Sequence, residues 1–462
     1  MNPAVWSIEA PYDRREIGRV ALTSSVDLEA WLQEAAALHR DRVPLPPARR
    51  IDILQRASAL LTSRREEFAI RIAREGGKPL TDARVEAIRA ADGLAWSARV
   101  LAEETGREIP MGLNAATQGR TARTVHEPIG PVLALSAFNH PLNLIVHQVG
   151  PAVAAGCPVL VKPAPATPLS CLALIDLLRE AGLPEPWARA ILVNNGTATQ
   201  LVADPRIAFL SFIGSAKVGW SLRRRVADGT RCALEHGGVA PVIVAADADL
   251  GLAVPALVKG GYYHAGQVCV SVQRIYVHRS RLAEFRAAFT AAVQALSVGD
   301  PEDETTEVGP LIRPGEVERV ASWVDEARAA GAAVWCGGKP LGETTYAPTV
   351  IFDPPEDTQV ATEEVFGPVT VVWPFDDWRE AVGRANALPW AFQAAVFTAD
   401  PAQGETMAAA LAAAAVMIND HTAFRADWMP FGGRGVSGLG VGGIPATFAD
   451  LRPEKLIVSR NA

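Results

Sequence analysis

The stretch Phe209-Leu210-Ser211-Phe212-Ile213-Gly214-Ser215-Ala216-Lys217-Val218-Gly219 reads as a buried strand, a glycine turn and the opening of a helix that continues through Trp220, Leu222 and Val226. A short apolar run bounded by glycine is the pattern of a strand covered on both faces. Glycine lets the backbone approach a ligand closely, and the free amides at a helix start favour an anion. The spacing is not GxGxxG, so by itself the segment fits a tight strand-to-helix turn as well as a cofactor site.

The same pattern recurs upstream. Pro131-Val132-Leu133-Ala134-Leu135, Pro158-Val159-Leu160-Val161 and Ala190-Ile191-Leu192-Val193 read as buried strands, and Leu169 to Ala181 as an amphipathic helix. Such alternation predicts an α/β fold, a parallel sheet with helices on both faces. The first hundred or so residues are helical in pattern, with Ile51, Leu54, Leu60, Leu61, Phe68 and Ile72 near helical spacing, and Gly76-Gly77-Lys78-Pro79 closes that run. The alanine runs Ala408 to Ala410 and Ala412 to Ala415, split by Leu411, predict one close-packed helix.

At 462 residues the chain has room for two or three domains. A net charge of -7 argues against a nucleic-acid or anionic-membrane partner. The N-terminus lacks a basic segment followed by an apolar run, and no apolar stretch reaches spanning length, so a cytoplasmic protein is expected. Five cysteines, 157, 171, 232, 269 and 336, are odd in number and show no CxxC spacing. That disfavours disulfides and a metal site, and predicts one reactive thiol with four buried ones.

Three dispersed segments carry the chemistry. Gly266-Gln267-Val268-Cys269 offers a thiol, Leu234-Glu235-His236-Gly237 a carboxylate, and Phe138-Asn139-His140-Pro141 an amide. A thiolate captures a carbonyl, an amide N–H stabilises the resulting oxyanion, and a carboxylate activates water to release the acyl group. Singly, each residue has a structural reading: a core cysteine, a solvated charge, a turn former.

Together and in this order the motifs resemble the aldehyde dehydrogenase superfamily over nearly the whole chain. The wording Cys269-Val270-Ser271-Val272-Gln273-Arg274 is similar to the lactaldehyde and glyceraldehyde-type branch. The resemblance implies Cys269 as nucleophile, Glu235 as general base and Asn139 as oxyanion donor. It implies NAD or NADP held by Lys162, Gly214, Ser215 and Gly219, with Glu364 on the nicotinamide ribose, Phe366 against the nicotinamide, and Pro430-Phe431-Gly432-Gly433 completing the set. It also implies a Rossmann-like cofactor domain (1–117 and 132–237), a catalytic domain (238–435) and a small β oligomerisation element (118–131 and 436–462). The tail Glu454 to Ser459 would be a strand able to join a neighbouring subunit's sheet in a homodimer or homotetramer.

Departures from the family pattern are specific. Pro165 stands where many members carry a glutamate that would repel a 2'-phosphate, which leaves NADP open. Gln148 replaces a lysine, and Val441-Gly442 an Arg-Glu pair, on a proton exit route from the general base. His236, where leucine is common, is read either as tuning Glu235 or as a structural histidine. For substrate, His140, Phe424, Arg425 and Trp428 are the candidates. Arg425 suits an acidic group, with an Arg425–Asp427 pair as the structural alternative, and Phe424 and Trp428 suit an apolar one. A small aldehyde, hydroxylated or aromatic, is the expectation. Hydrolysis to the carboxylic acid is favoured over CoA-forming acyl transfer because Glu235 is present, and over phosphorylating transfer because the sequence reveals no anion site near the thioester; a binding or structural protein retaining the fold is the remaining alternative.

Overall fold

The computed structural model describes residues 5–43 and 45–460. The first four residues of the N-terminus discussed above lie outside this range. Two parallel-type sheets dominate. The first has six strands in the order Gly438–Leu439, Arg231–Glu235, Phe209–Ile213, Val132–Leu135, Val159–Lys162, Ala188–Ala190. All neighbours run parallel except Gly438–Leu439, which is antiparallel to Arg231–Glu235. The register sets Leu135 beside both Lys162 and Phe212, and Ile213 beside Glu235. The carboxyl ends of four strands therefore deliver the candidate residues to one edge, as expected of a doubly wound sheet.

Helices pack this sheet tightly because small residues face one another. Leu80–Ala102 buries Ala83, Ala87, Ala90 and Ala98, and every residue of Asn143–Ala155 is buried. A Cβ on Gly93 would come within 2.8 Å of Val146, so glycine there permits the close approach. The second sheet has seven strands, Ala333–Cys336, Thr349–Phe352, Val369–Phe375, Arg274–His278, Pro241–Val244, Gln393–Phe397 and Ala415–Ile418, in that spatial order. Only Ala333–Cys336 runs antiparallel. Its strands read Val-Ile rich because both faces are covered.

Four readings change. The helix after Gly214 is Ala216–Arg223 and stops short of Val226. The strand expected at 190–193 is Ala188–Ala190, with Ile191 still bonded to Val161 at 2.8 Å. The alanine tract is not one helix. Pro401–Ala410 ends at Leu411, which is extended, and Ala415–Ile418 is a strand. Asn386 divides the two, accepting from Ala412 N–H at 2.8 Å and donating to Ala410 O at 2.9 Å. Finally, Cys232 is half-buried, while Cys157, Cys171 and Cys336 are buried.

The tail strand, Glu454–Arg460, pairs antiparallel with Arg120–His126 of its own chain. Glu108–Ile109 completes this three-stranded sheet, and Glu454–Arg460 forms its outer edge with Leu456 and Val458 exposed. No helix among the described residues is long and apolar enough to cross a membrane.

Candidate active site

A cavity of about 810 Å³ opens at the carboxyl edge of the first sheet and reaches Cys269. The chain delivers Cys269 through a left-handed run, His264, Ala265 and Gly266, with φ of 50°, 55° and 69°. A side chain on Gly266 would overlap the Gly367 carbonyl, so only glycine completes this turn. The next residue is pinned: the Gln267 amide donates to His264 O and Pro310 O and accepts from Ile312 N–H. Its carbonyl accepts from Asn139 Nδ2 at 2.9 Å, which fixes that amide and leaves its second hydrogen for the cavity.

Burial, with Glu364 adding to it, pushes the Cys269 thiol up to about 12, while Arg425 works against the shift. The thiol is therefore protonated at rest near neutral pH. Burial also raises the Glu235 carboxyl, and Arg425 opposes it. A Cβ built on Gly442 would overlap Glu235 Oε1, so the carboxyl occupies the space that a side chain at 442 would fill. The Gln148 Nε2 donates to Leu135 O, Ser211 O and Ser211 Oγ, which fixes it as a structural amide.

On the cofactor side, Gly214, Ser215, Lys217 and Val218 line the cavity at the helix start, with Phe138 and Phe366 meeting edge-to-face at 5.8 Å. Glu364 Oε1 is buried without a hydrogen-bond partner, and burial raises its carboxyl to about 8. Lys162 is buried at the end of its strand and has no acidic partner among the described residues. Both are the unmet polar groups that ribose hydroxyls and a 2'-phosphate would satisfy, so the residues present fit a nicotinamide dinucleotide. Gly219 sits against the His236 ring. His236 Nδ1–H donates to Val436 O at 2.9 Å and its ring packs on Trp220 and Phe212, which favours the structural reading of this histidine.

The substrate side departs from expectation. Arg425 lines the cavity, but Phe424 and Trp428 turn outward, 47% and 49% exposed, and Trp428 stacks on Trp96. The cause is Asp427, which turns inward to a cluster invisible as a local motif. It accepts from Arg89 at 2.6 and 3.0 Å, from Asn143 Nδ2 at 3.1 Å and from His147 Nε2 at 2.8 Å. The alternative Arg425–Asp427 pair is absent. With Nε2–H given to Asp427, His147 Nδ1 is an acceptor, and Arg425 donates to it at 3.2 Å. Arg425 also lies over the Phe431 ring, 3.4 Å from its centroid. A second cluster joins Lys78, Glu86 and His140; only His140 had a sequence signal, although Lys78 and Glu86 lie eight positions apart, one before and one within the helix Leu80–Ala102.

These features coincide with one family. The aldehyde dehydrogenase family model matches residues 4–455. The chain belongs to the aldehyde dehydrogenase family. It is similar to 3-sulfolactaldehyde dehydrogenase of Priestia aryabhattai, 37% identical over 89% of this chain and 86% of that protein. Among solved structures it is similar to aldehyde dehydrogenase 21 of Physcomitrella patens in complex with succinate (33% identity, TM-score 0.96, covering 100% of this chain and 96% of that one). It is also similar to the glyceraldehyde-3-phosphate dehydrogenase GapN of Methanocaldococcus jannaschii complexed with NADP (32%, TM-score 0.93, 98% of each chain). The protein is an NAD(P)-dependent aldehyde dehydrogenase.

Proposed function

We propose that this aldehyde dehydrogenase oxidises a short aldehyde bearing an acidic group to the corresponding carboxylic acid, by a Cys269 thioester that water hydrolyses. The observation that carries the substrate class is Arg425. Its side chain lines the catalytic cavity, Nη2 bonds His147 Nδ1 at 3.2 Å, and no carboxylate lies within ion-pair distance among the described residues. A cation held this way is satisfied by an anion from the ligand. The named substrates or ligands of the three similar proteins, a sulfonated aldehyde, succinate and a phosphorylated aldehyde, all carry acidic groups.

Each step then has a residue. Glu235, its carboxyl raised by burial, takes the Cys269 proton, and sulfur bonds to the aldehyde carbon. The Asn139 amide and the Cys269 N–H stabilise the oxyanion. The bound nicotinamide supplies the hydride acceptor. Glu235 first gives up the proton taken from Cys269 to solvent, and the carboxylate then takes a proton from the water that attacks the thioester; the carbon–sulfur bond breaks, Cys269 leaves as thiolate and the acid is released. With Gln148 an amide and no side chain at Gly442, that proton leaves through water, and deacylation is slow relative to acylation. Lys162, the Gly214–Gly219 turn, Glu364 and Phe366 hold the dinucleotide, and Pro165 places no carboxylate against a 2'-phosphate, so both NAD and NADP are accepted.

The protein is further proposed to work in the cytoplasm as a homodimer or homotetramer assembled through the exposed edge of Glu454–Arg460. Residues 1–117 and 132–237 would form the cofactor domain and 238–435 the catalytic one. The test is cofactor reduction across paired acidic and neutral aldehydes, with NAD and with NADP, and Cys269→Ala as control. Preference for the acidic member is expected; preference for the neutral member would remove the substrate class.

A further inference from the structure

Two arginines, Arg89 and Arg425, line the substrate side of the cavity, and they are held by different means. Arg89 has a carboxylate: its Nη2 donates to Asp427 Oδ1 at 2.6 Å and its Nε to Oδ2 at 3.0 Å. Arg425 has an imidazole: its Nη2 donates to His147 Nδ1 at 3.2 Å. A bidentate carboxylate fixes a guanidinium and also cancels its charge. A neutral ring nitrogen fixes it and leaves the charge in place.

The fold prepares that nitrogen. The helix Asn143–Ala155 sets Asn143 and His147 four residues apart on one face, and both reach Asp427 Oδ1, Nδ2 at 3.1 Å and Nε2 at 2.8 Å. A carboxylate held ionised by Arg89 can only accept, so Nε2 carries the ring proton and Nδ1 presents a lone pair to Arg425. The ring is 4% exposed and stands behind the cavity wall, whereas His140 lines the cavity itself. Burial, with Arg425 adding to it, pushes the His147 imidazole down to about 4, so the ring stays uncharged through the neutral range. The Phe431 ring covers the face of the same guanidinium, 3.4 Å from centroid to Cζ.

We infer that His147 is a positioning residue for substrate recognition: its Nδ1 fixes the Arg425 guanidinium at the cavity without spending its charge, and so sets the affinity for an acidic aldehyde. This rests on the reading of Arg425 as the receptor for the acidic group, and adds to it a residue that acts through Arg425 without touching the substrate.

The test is the ratio of kcat/KM for succinate semialdehyde over butanal in the parent, in His147→Phe, in Arg425→Met and in the double variant. Phenylalanine keeps the bulk of the ring and removes its nitrogens, while Asp427 retains Arg89 and Asn143. His147→Phe is expected to lower the ratio about tenfold through a higher KM for succinate semialdehyde, with kcat for it within about threefold of the parent, since a hydrogen bond to a charged group is at stake. In the Arg425→Met background the same substitution leaves the ratio unchanged. His147→Asn, whose Oδ1 takes the place of Nδ1, restores most of the ratio, and an asparagine ratio no higher than the phenylalanine one overturns the inference. So does an equal fall with and without Arg425, a fall confined to kcat, or a His147→Phe ratio equal to the parent's. In that last case, loss of the acidic preference in Arg425→Met shows that the substrate class stands without His147. A parent with no acidic preference overturns both readings. If His147→Phe fails to fold, judged by loss of cofactor binding, long-range proton–nitrogen NMR of the histidine-labelled parent decides, with the signal assigned by its loss in His147→Asn. A proton on Nε2 alone is expected, and a proton on Nδ1 overturns the inference.

Discussion

The two halves of the cavity are built on opposite principles. On the substrate side the carboxylates are held from behind, Asp427 by Arg89, Asn143 and His147, and Glu86 by Lys78 and two backbone amides, and Arg425 alone is kept for the ligand. On the cofactor side Glu364 Oε1 is left bare and Lys162 lacks an acidic partner. The difference separates a preorganised recognition surface from a set of polar groups that a mobile ligand completes on arrival. Substitution on the first side should cost stability and selectivity, and on the second mainly affinity for the dinucleotide.

The largest effect lies at the boundary between the halves. Cys269→Ala is expected to lower turnover at least about a thousandfold while leaving cofactor binding intact, measured by cofactor reduction and by fluorescence titration. Loss of both together would merge the two halves.

Asp427→Ala tests the preorganised side. It strands Arg89 and His147, and the expected loss is about 3–5 kcal/mol in denaturant unfolding, the range for breaking a buried pair. Burial raises the Asp427 carboxyl but His147 and Arg89 hold it well below its ordinary range. Its contribution to stability is therefore present above the ordinary aspartate pKa and is lost on acidification. An Asp427→Ala protein as stable as the parent would show that the cluster is decoration.

Gly442→Ala asks whether Glu235 depends on the room beside it. The added methyl would displace the carboxyl. A burst of reduced cofactor followed by steady-state turnover lowered about tenfold to a hundredfold is expected, because deacylation suffers more than acylation. Loss of the burst with the same steady-state defect would place the damage before the thioester.

Glu364→Gln has the smallest expected effect and the opposite sign in stability. The Glu364 carboxyl sits near 8 against an ordinary 4.5 because of burial, despite Arg319. The folded state thus holds the proton more tightly than the unfolded chain, and the stability this contributes at low pH is lost as pH rises through 8. Glutamine should flatten that decline between pH 5 and 9 in thermal melts while weakening cofactor binding about tenfold. A melting temperature that falls at pH 9 would show that the carboxyl is satisfied in the resting protein.

The contrast also explains what sequence could reveal. Strand-turn-helix patterning exposed the first sheet, and Asn139, Glu235, Cys269 and Glu364 were legible because each lies in a short distinctive segment. The alanine tract misled because alanine suits a helix and a covered strand alike, and the break depended on Asn386 from elsewhere. Phe424 and Trp428 were assigned inward because a loop has no periodicity; the anchor that turned them out, Asp427 to Arg89, spans 338 positions. Partners far apart in the chain leave no local trace, so His147 with Asp427, 280 positions away, and Lys78 and Glu86 with His140, 62 and 54 positions away, emerged only in three dimensions.

The most direct measurement of the account is kcat/KM for succinate semialdehyde against butanal, in the parent and in Arg425→Met. The parent should prefer the acidic aldehyde by about a hundredfold, and the variant should lose that preference while retaining most of its activity on butanal, because a charge-assisted pair is worth roughly 1.5–3 kcal/mol. A parent that prefers butanal, or a variant that keeps the acidic preference, would contradict the assignment of Arg425 and with it the substrate class.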